Sequence, residues 1–143
     1  MAYMSIDKVP YIISFPQFGK PAEGYIAVGE FSKHVPFEVK RTFWTYYTPE
    51  SITRGRHAHY TTEMILIAAA GRIEVDLECI DNSKYKFELN SPLIGLYIPP
   101  LTWHVMQYSH NAVQIVLAST EYNEKDYIRD YERFLTLQKE HIH

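Results

Sequence analysis

Within residues 72–80, charged and apolar side chains alternate, and no other stretch of the sequence restricts the fold as strongly. The apolar positions of the alternation are Ile73, Val75, Leu77 and Cys79. A period of two residues is typical of a β-strand that buries one of its faces. Turn residues occupy positions 81–83 and residues 85–89 alternate again, so the two runs predict a β-hairpin.

Further segments rich in aromatic and β-branched residues predict additional short strands. They span residues 11–15, 25–30, 37–47, 63–70, 93–98, 103–108 and 112–118. Residues 15–24 contain two prolines and two glycines, so we predict a loop there. Many short strands separated by closely spaced turns favour a β-sandwich or a β-barrel.

One helix is predicted near the C-terminal end. Asn123 is a favourable cap residue, and Asp126 stands three residues later, as in a capping box. Apolar residues at helical spacing follow at Tyr127, Tyr131, Phe134 and Leu135. We therefore expect one all-β domain over residues 1–143, with one C-terminal helix that packs on the strands or on a partner subunit.

Composition and charge exclude several functional classes. The net charge is −3, whereas a nucleic-acid-binding protein presents a strongly basic face. Cys79 is the only cysteine, so no internal disulfide can form. We find no signal peptide, and no apolar run approaches the length of a membrane span. We expect a cytoplasmic protein with neither a nucleic-acid partner nor a membrane partner.

Three histidines carry the chemical signal in the sequence. His57 and His59 are two residues apart in a predicted strand, so their side chains share one face. His104 follows five residues after Pro99, at the start of another predicted strand. A lone histidine is usually structural, but the pair at 57 and 59 together with His104 indicates a common site.

These spacings resemble the two motifs of the cupin family, small β-barrels of the jelly-roll type. The matching residues are His57, His59, Gly71, Pro99 and His104, while Leu101 replaces a glycine of the second motif. The slot of the metal-binding glutamate, separated from Gly71 by six residues, holds Met64. Glu63 is one residue early, so it should point to the opposite face. A thioether is a poor ligand for a hard ion, and we expect no metal cofactor, although three histidines alone could hold zinc or iron.

A closer resemblance is to the sugar 3,4-ketoisomerases that act on dTDP-4-keto-6-deoxy-D-glucose. It rests on blocks in the same order at residues 35–41, 54–59, 91–98, 103–106, 116–119 and 126–129. The resemblance implies a reaction without cofactors, a dTDP-sugar substrate and a homodimer whose subunits exchange N-terminal strands. It also implies that His57 is the catalytic base, that His59 is its catalytic partner, and that His104 binds substrate at the pocket rim.

The same resemblance suggests further substrate-binding residues. Arg41 and Arg54 match family positions that bind the pyrophosphate. Arginine suits this role because its planar guanidinium fits phosphate oxygens. Arg56 could add a phosphate contact, and Tyr97 could stack on thymine. The alternatives are solvent-exposed charge for the arginines and core packing for Tyr97.

Two other functions remain open from the sequence. One is a metal-dependent cupin enzyme such as a dioxygenase, and the other is a non-catalytic nucleotide-sugar-binding module. The C4 configuration of the product also stays open. In the family, histidine at the position of His104 accompanies the galacto product, whereas Glu23 stands where the family has arginine or tyrosine.

Overall fold

The computed structural model describes residues 8–142, which form twelve strands, one short 3-10 helix and one α-helix. The strands are β1 (Tyr11–Ser14), β2 (Gln17–Lys20), β3 (Gly24–Ala27), β4 (Arg41–Tyr46), β5 (Thr53–His59), β6 (Met64–Ala70), β7 (Ile73–Cys79), β8 (Lys84–Leu89), β9 (Ile94–Ile98), β10 (Thr102–Tyr108), β11 (Val113–Ala118) and β12 (Tyr127–Ile128). The 3-10 helix spans Glu124–Asp126 and helix α1 spans Tyr131–Ile142. No helix among the described residues is both long and apolar enough to cross a membrane.

Two five-stranded antiparallel sheets build the predicted small β-barrel of the cupin type. Sheet one has the order β1-β9-β6-β11-β4, and sheet two has the order β12-β5-β10-β7-β8. The largest apolar cluster fills the space between them, with Leu66 and Val116 from sheet one and Val75 and Met106 from sheet two. The all-β fold with one C-terminal helix is confirmed.

The alternating run forms β7, as its pattern predicts. All four of its apolar positions are buried, and the strand pairs with β8 through the predicted hairpin and with β10 on its other side. Burial of one apolar face along its length holds the register, because a slip of one residue would turn every apolar side chain to solvent.

Two smaller apolar clusters cover the outer faces of the sheets. On sheet one, Phe15, Val35 and Phe37 pack on Ile65 and Tyr97. On sheet two, Phe134 of α1 is completely buried with Ala58 and Ile128. The helix therefore closes the back of the strand that carries the two neighbouring histidines.

Two sequence predictions are wrong at the level of secondary structure. Gln17–Lys20 is a strand that pairs with β3, because positive φ angles at Gly19 and Gly24 let the predicted loop close into a hairpin. The helix begins at Tyr131 rather than near Asn123, which instead caps the 3-10 helix. The two residues of β12 leave the helical pattern because their backbone pairs with β5.

Candidate active site

The site is built on the antiparallel pairing of β5 with β10, which sets His57 directly opposite His104. The two ring centroids are 4.4 Å apart, and the two Nε2 atoms are 3.1 Å apart. The other ring nitrogens face backbone oxygens: His57 Nδ1 lies 3.1 Å from Gly55 O, and His104 Nδ1 lies 3.2 Å from Thr102 O. A carbonyl oxygen can only accept, so a ring that bonds to it carries its proton on Nδ1 and presents Nε2 as an acceptor. The Nε2–Nε2 contact is a hydrogen bond only when one of the two rings also carries a proton there.

A β-bulge in β5 aims these side chains. The register with β10 shifts between His104 and Val105, so Arg56 is the extra residue opposite them. Gly55 and Arg56 both have positive φ, at 88° and 57°. A Cβ atom on Gly55 would lie 2.7 Å from His104 O, so glycine is required for the close approach of the two strands.

His59 completes the cluster from the end of β5. Its side chain is 3% exposed, its ring lies 5.0 Å from the ring of His57, and Tyr127 packs on it at 4.4 Å between centroids. Its Nδ1 atom lies 3.3 Å from Asp126 Oδ2. The predicted convergence of three imidazoles is therefore present, and Tyr127 and Asp126 join it.

Burial dominates the electrostatics of the cluster. Loss of solvent lowers the pKa of all three imidazoles, to about 4 for His59, where charge on His57 lowers it further and Asp126 partly offsets the shift. Each ring is therefore neutral near pH 7 and can accept a proton.

The three histidines are also the residues that could hold a metal ion. Their candidate ligand nitrogens all lie within 4.8 Å of one another, whereas nitrogens around one tetrahedral zinc ion are about 3.3 Å apart. The predicted orientation at the glutamate slot is confirmed: Met64 joins the interior cluster, and Glu63 bonds to Lys8 and Tyr97 outside it. The carboxylate of the cupin motif is thus absent from this cluster of described residues.

Aromatic and cationic side chains border the cluster. The guanidinium of Arg41 lies 5.7 Å from the ring centroid of Tyr122, and its Nη1 donates to Tyr127 Oη at 3.4 Å. Arg41 Nε is buried and has no hydrogen-bond partner within residues 8–142. A buried, unpaired guanidinium nitrogen indicates a place for an anion.

The other predicted binding residues lie in different surroundings. Arg54 is exposed, and in the pairing of β5 with β10 it lies opposite Met106, whose side chain faces the interior. Arg56 lines a groove on the outer face of sheet two with Trp103 and is not brought to the histidines. Tyr97 is buried in the cluster outside sheet one, because neighbouring residues of a strand point to opposite faces.

Sequence reasoning missed Asp126, Tyr127 and Tyr122 as residues of the site. Tyr127 was assigned to a helix because its spacing from Tyr131 is helical. The signal that could have found it is the block 126–129, which belongs to the resemblance to the ketoisomerases.

Comparison with known proteins agrees with this geometry. Residues 8–139 match the family described as FdtA: WxcM-like, C-terminal. The TDP-4-oxo-6-deoxy-alpha-D-glucose-3,4-oxoisomerase of Aneurinibacillus thermoaerophilus is 36% identical over 124 residues, which are 86% of this chain and 88% of that protein. The chain belongs to the sugar 3,4-ketoisomerase family.

Solved ketoisomerases superpose over nearly the whole chain. The QdtA enzyme of Thermoanaerobacterium thermosaccharolyticum, in complex with TDP, has a TM-score of 0.88 at 30% identity over all of both chains. A variant of that enzyme was solved with TDP-4-keto-6-deoxyglucose. The ketoisomerase of Helicobacter canadensis has a TM-score of 0.85 at 36% identity, over 91% of this chain and 97% of that one.

The bulge can be tested by comparing alanine substitutions at two glycines with nearly equal φ angles, Gly55 at 88° and Gly24 at 87°. Alanine at either position adopts a left-handed conformation at a cost of about 1–2 kcal/mol. A Cβ on Gly24 meets nothing within 4 Å, whereas on Gly55 it collides with His104 O. We expect Gly55→Ala to lose about 1–3 kcal/mol more unfolding free energy than Gly24→Ala in urea titrations. Equal losses would contradict the close approach at the bulge.

Proposed function

We propose that this chain moves the keto group of dTDP-4-keto-6-deoxy-D-glucose from C4 to C3, in the pocket formed by His57, His59 and His104. The observation that carries the proposal is the imidazole cluster: the nitrogens of three neutral bases lie within 4.8 Å of one another, and an arginine with an unpaired nitrogen bonds to the tyrosine that packs on them. The product is a dTDP-3-keto-6-deoxyhexose, which is a substrate for later amination.

The reaction needs a base and a group that stabilises negative oxygen. The C4 carbonyl acidifies the proton on C3, and removal of that proton gives an enediolate between C3 and C4. Proton return to C4 and loss of the proton from the C3 hydroxyl leave the ketone at C3. Histidine suits such transfers because its pKa lies near neutrality or below it.

The contact between His57 and His104 supports His57 as the base. With the proton of each ring on Nδ1, the two Nε2 atoms lie 3.1 Å apart and no hydrogen bond joins them. Because Nε2 has one lone pair, the His57 ring must turn toward the sugar to take the C3 proton, and on its return the N–H can donate to His104 Nε2. The neighbour therefore favours the protonated form of His57 against the cost of burial.

We assign His59 to the relay of the proton, because its Nδ1 faces the Asp126 carboxylate and its other nitrogen is then an acceptor, which cannot donate to the C4 oxygen. Its ring is within 5.0 Å of the ring of His57, so both can reach adjacent carbons of one sugar. Tyr127 packs against both rings and limits their rotation.

Arg41 is our candidate for the pyrophosphate, with Arg54 as a second cation. The Nε of Arg41 is buried near Phe43 and Tyr122 and has no hydrogen-bond partner within residues 8–142. A phosphate oxygen would satisfy that donor by a charge-assisted hydrogen bond.

A metal-dependent cupin enzyme is the second candidate, and the three imidazoles are the observation that favours it. The turned-out Glu63 and the methionine in its slot favour the metal-free reaction. The two candidates differ in whether turnover needs a stoichiometric ion.

We also propose a homodimer with exchanged N-terminal strands. The β2–β3 hairpin pairs only with itself within the described residues, and its eight residues are all exposed. Strand β4 is the edge of sheet one, and its Trp44 and Tyr46 are 62% and 56% exposed. A second copy of the chain would cover both the free strand edge and these aromatic side chains.

The catalytic assignment predicts the behaviour of two asparagine variants. We expect His57→Asn and His59→Asn each to lower kcat about 100- to 10000-fold, because asparagine cannot take up the proton. Proton NMR of dTDP-4-keto-6-deoxyglucose turnover, in buffer with a chelator, gives the rates. His141→Asn, in the last turn of α1, is the matched control and should keep the wild-type rate.

Three outcomes would contradict the proposal. Wild-type rates in both variants would remove the catalytic roles of these histidines. Loss of wild-type activity on chelation, restored by stoichiometric iron or zinc, would favour the metal-dependent enzyme. Tight binding of the dTDP-sugar without turnover would favour a binding module.

The dimer proposal predicts a solution mass of twice the chain mass of 16.8 kDa. Because glutamate would place a charge in the apolar interface, we expect Trp44→Glu and Ile26→Glu to give monomers in light-scattering chromatography. Ile142→Glu is the control, since Ile142 is a similarly exposed apolar residue on α1. A monomeric wild-type chain, or dimers in both interface variants, would show that another surface or none is used.

A further inference from the structure

The Nδ1 atom of His59 has one polar neighbour that could fix its proton. This atom is buried, and Asp126 Oδ2 lies 3.3 Å away. No group in residues 8–142 makes a well-aligned hydrogen bond with it. His57 and His104 use backbone oxygens at the corresponding atom, so His59 alone depends on a side chain.

Asp126 is held in place by more hydrogen bonds than a capping residue needs. Its Oδ1 accepts from the backbone N–H of Thr61 at 2.8 Å and from Thr61 Oγ1 at 2.7 Å. Its Oδ2 accepts a short hydrogen bond from Thr62 Oγ1, which also contacts Thr120 Oγ1 at 2.6 Å. The carboxylate therefore cannot rotate away from the imidazole without breaking several bonds.

The backbone fixes the same geometry. Tyr60 N–H donates to Asp126 O at 2.9 Å, and the next residue, Tyr127, pairs with His59 in the β12–β5 ladder. Burial alone would raise the pKa of Asp126, but the hydrogen bonds from Thr62 and Thr61 outweigh it and lower that pKa. The side chain is thus a carboxylate, which can only accept hydrogen bonds.

We propose that Asp126 is the positioning residue of His59: it keeps the imidazole proton on Nδ1, so that Nε2 is presented to the substrate as an acceptor. The catalytic consequence rests on the proposed function, whereas the position of the proton does not. The tautomer decides whether His59 can receive a proton from the reacting sugar or only donate one.

Asparagine at this position should reverse the tautomer. The backbone N–H of Thr61 needs an acceptor, so the amide oxygen of Asp126→Asn must take the place of Oδ1. The amide NH₂ then falls at the place of Oδ2, beside His59 Nδ1. An N–H donor facing Nδ1 favours the tautomer that carries its proton on Nε2. In that tautomer, Nε2 is a donor, so the ring offers the substrate no acceptor.

The test compares Asp126→Asn with Asp130→Asn, which makes the same change four residues away. Asp130 accepts from Glu132 N–H at the start of α1, and asparagine caps a helix as well as aspartate does. Nitrogen-15 NMR of the histidine rings reports which nitrogen of His59 is protonated. We expect Nδ1–H in the wild type and in Asp130→Asn, and Nε2–H in Asp126→Asn.

Kinetics give the second readout. For Asp126→Asn we expect kcat to fall about 10- to 1000-fold with KM changed less than about threefold, because the substrate contacts remain. Nδ1–H in folded Asp126→Asn, or an unchanged kcat, would overturn the proposal. Should wild-type turnover itself be absent, the proposed function fails, and the NMR result still decides the role of Asp126.

Thr62→Val keeps the question testable if Asp126→Asn does not fold. It removes the hydroxyl that donates to Oδ2 but keeps the carboxylate and the shape of the side chain. We expect kcat to fall several-fold with His59 still protonated on Nδ1. Wild-type kcat in Thr62→Val, together with an unfolded Asp126→Asn, would reduce Asp126 to a structural residue and overturn the proposal.

Discussion

The pairing of β5 with β10 is the constraint on which the rest of the structure depends. The bulge at Gly55 and Arg56 brings His57 and His104 face to face, and the same strand ends in His59. Sheet two holds this pair from both sides, through β7 on one edge and β12 on the other. The functional geometry is thus a property of the barrel wall and not of a loop.

Burial then determines the protonation state of the three histidines in this wall. A solvent-exposed histidine cluster would be partly protonated near pH 7, whereas loss of solvent lowers the pKa of these rings and keeps them neutral. The outer nitrogens of His57 and His104 contact backbone oxygens, that of His59 faces Asp126, and the candidate ligand nitrogens of the three rings lie within 4.8 Å of one another. A proton-transfer reaction needs such an arrangement, and the relatives of this chain are sugar 3,4-ketoisomerases.

Much of the fold and the centre of the site could be predicted from the sequence, because both follow from the two-residue period with which side chains alternate along a strand. That period fixes β7, the common face of His57 and His59, and the opposite directions of Glu63 and Met64. It could not reveal the bulge, since one inserted residue breaks the alternation. Arg56, predicted near the phosphate, adjoins His57 and lies on the outer face, as alternation alone implies, whereas the bulge sets Arg54 opposite the interior residue Met106.

The positions that sequence reasoning missed depend on contacts between distant segments. The helical spacing from 127 to 135 is real, but β5 offers backbone partners to Tyr127 and Ile128, and pairing prevails over the local pattern. Asp126 has the spacing of a capping residue, whereas its oxygens bond to Thr61 and Thr62, more than sixty residues earlier. Local propensity carries no information about such partners.

Turnover in deuterium oxide tests the central claim most directly. If buried imidazoles carry the proton through an enediol, the 3-keto product must bear deuterium at C4, because the ring N–H groups exchange with solvent. Proton NMR of the product should then lack the C4 proton signal. Retention of the substrate's C3 hydrogen at C4 in every product molecule would contradict a relay between solvent-exchanging imidazoles and would favour direct transfer of that hydrogen from C3 to C4.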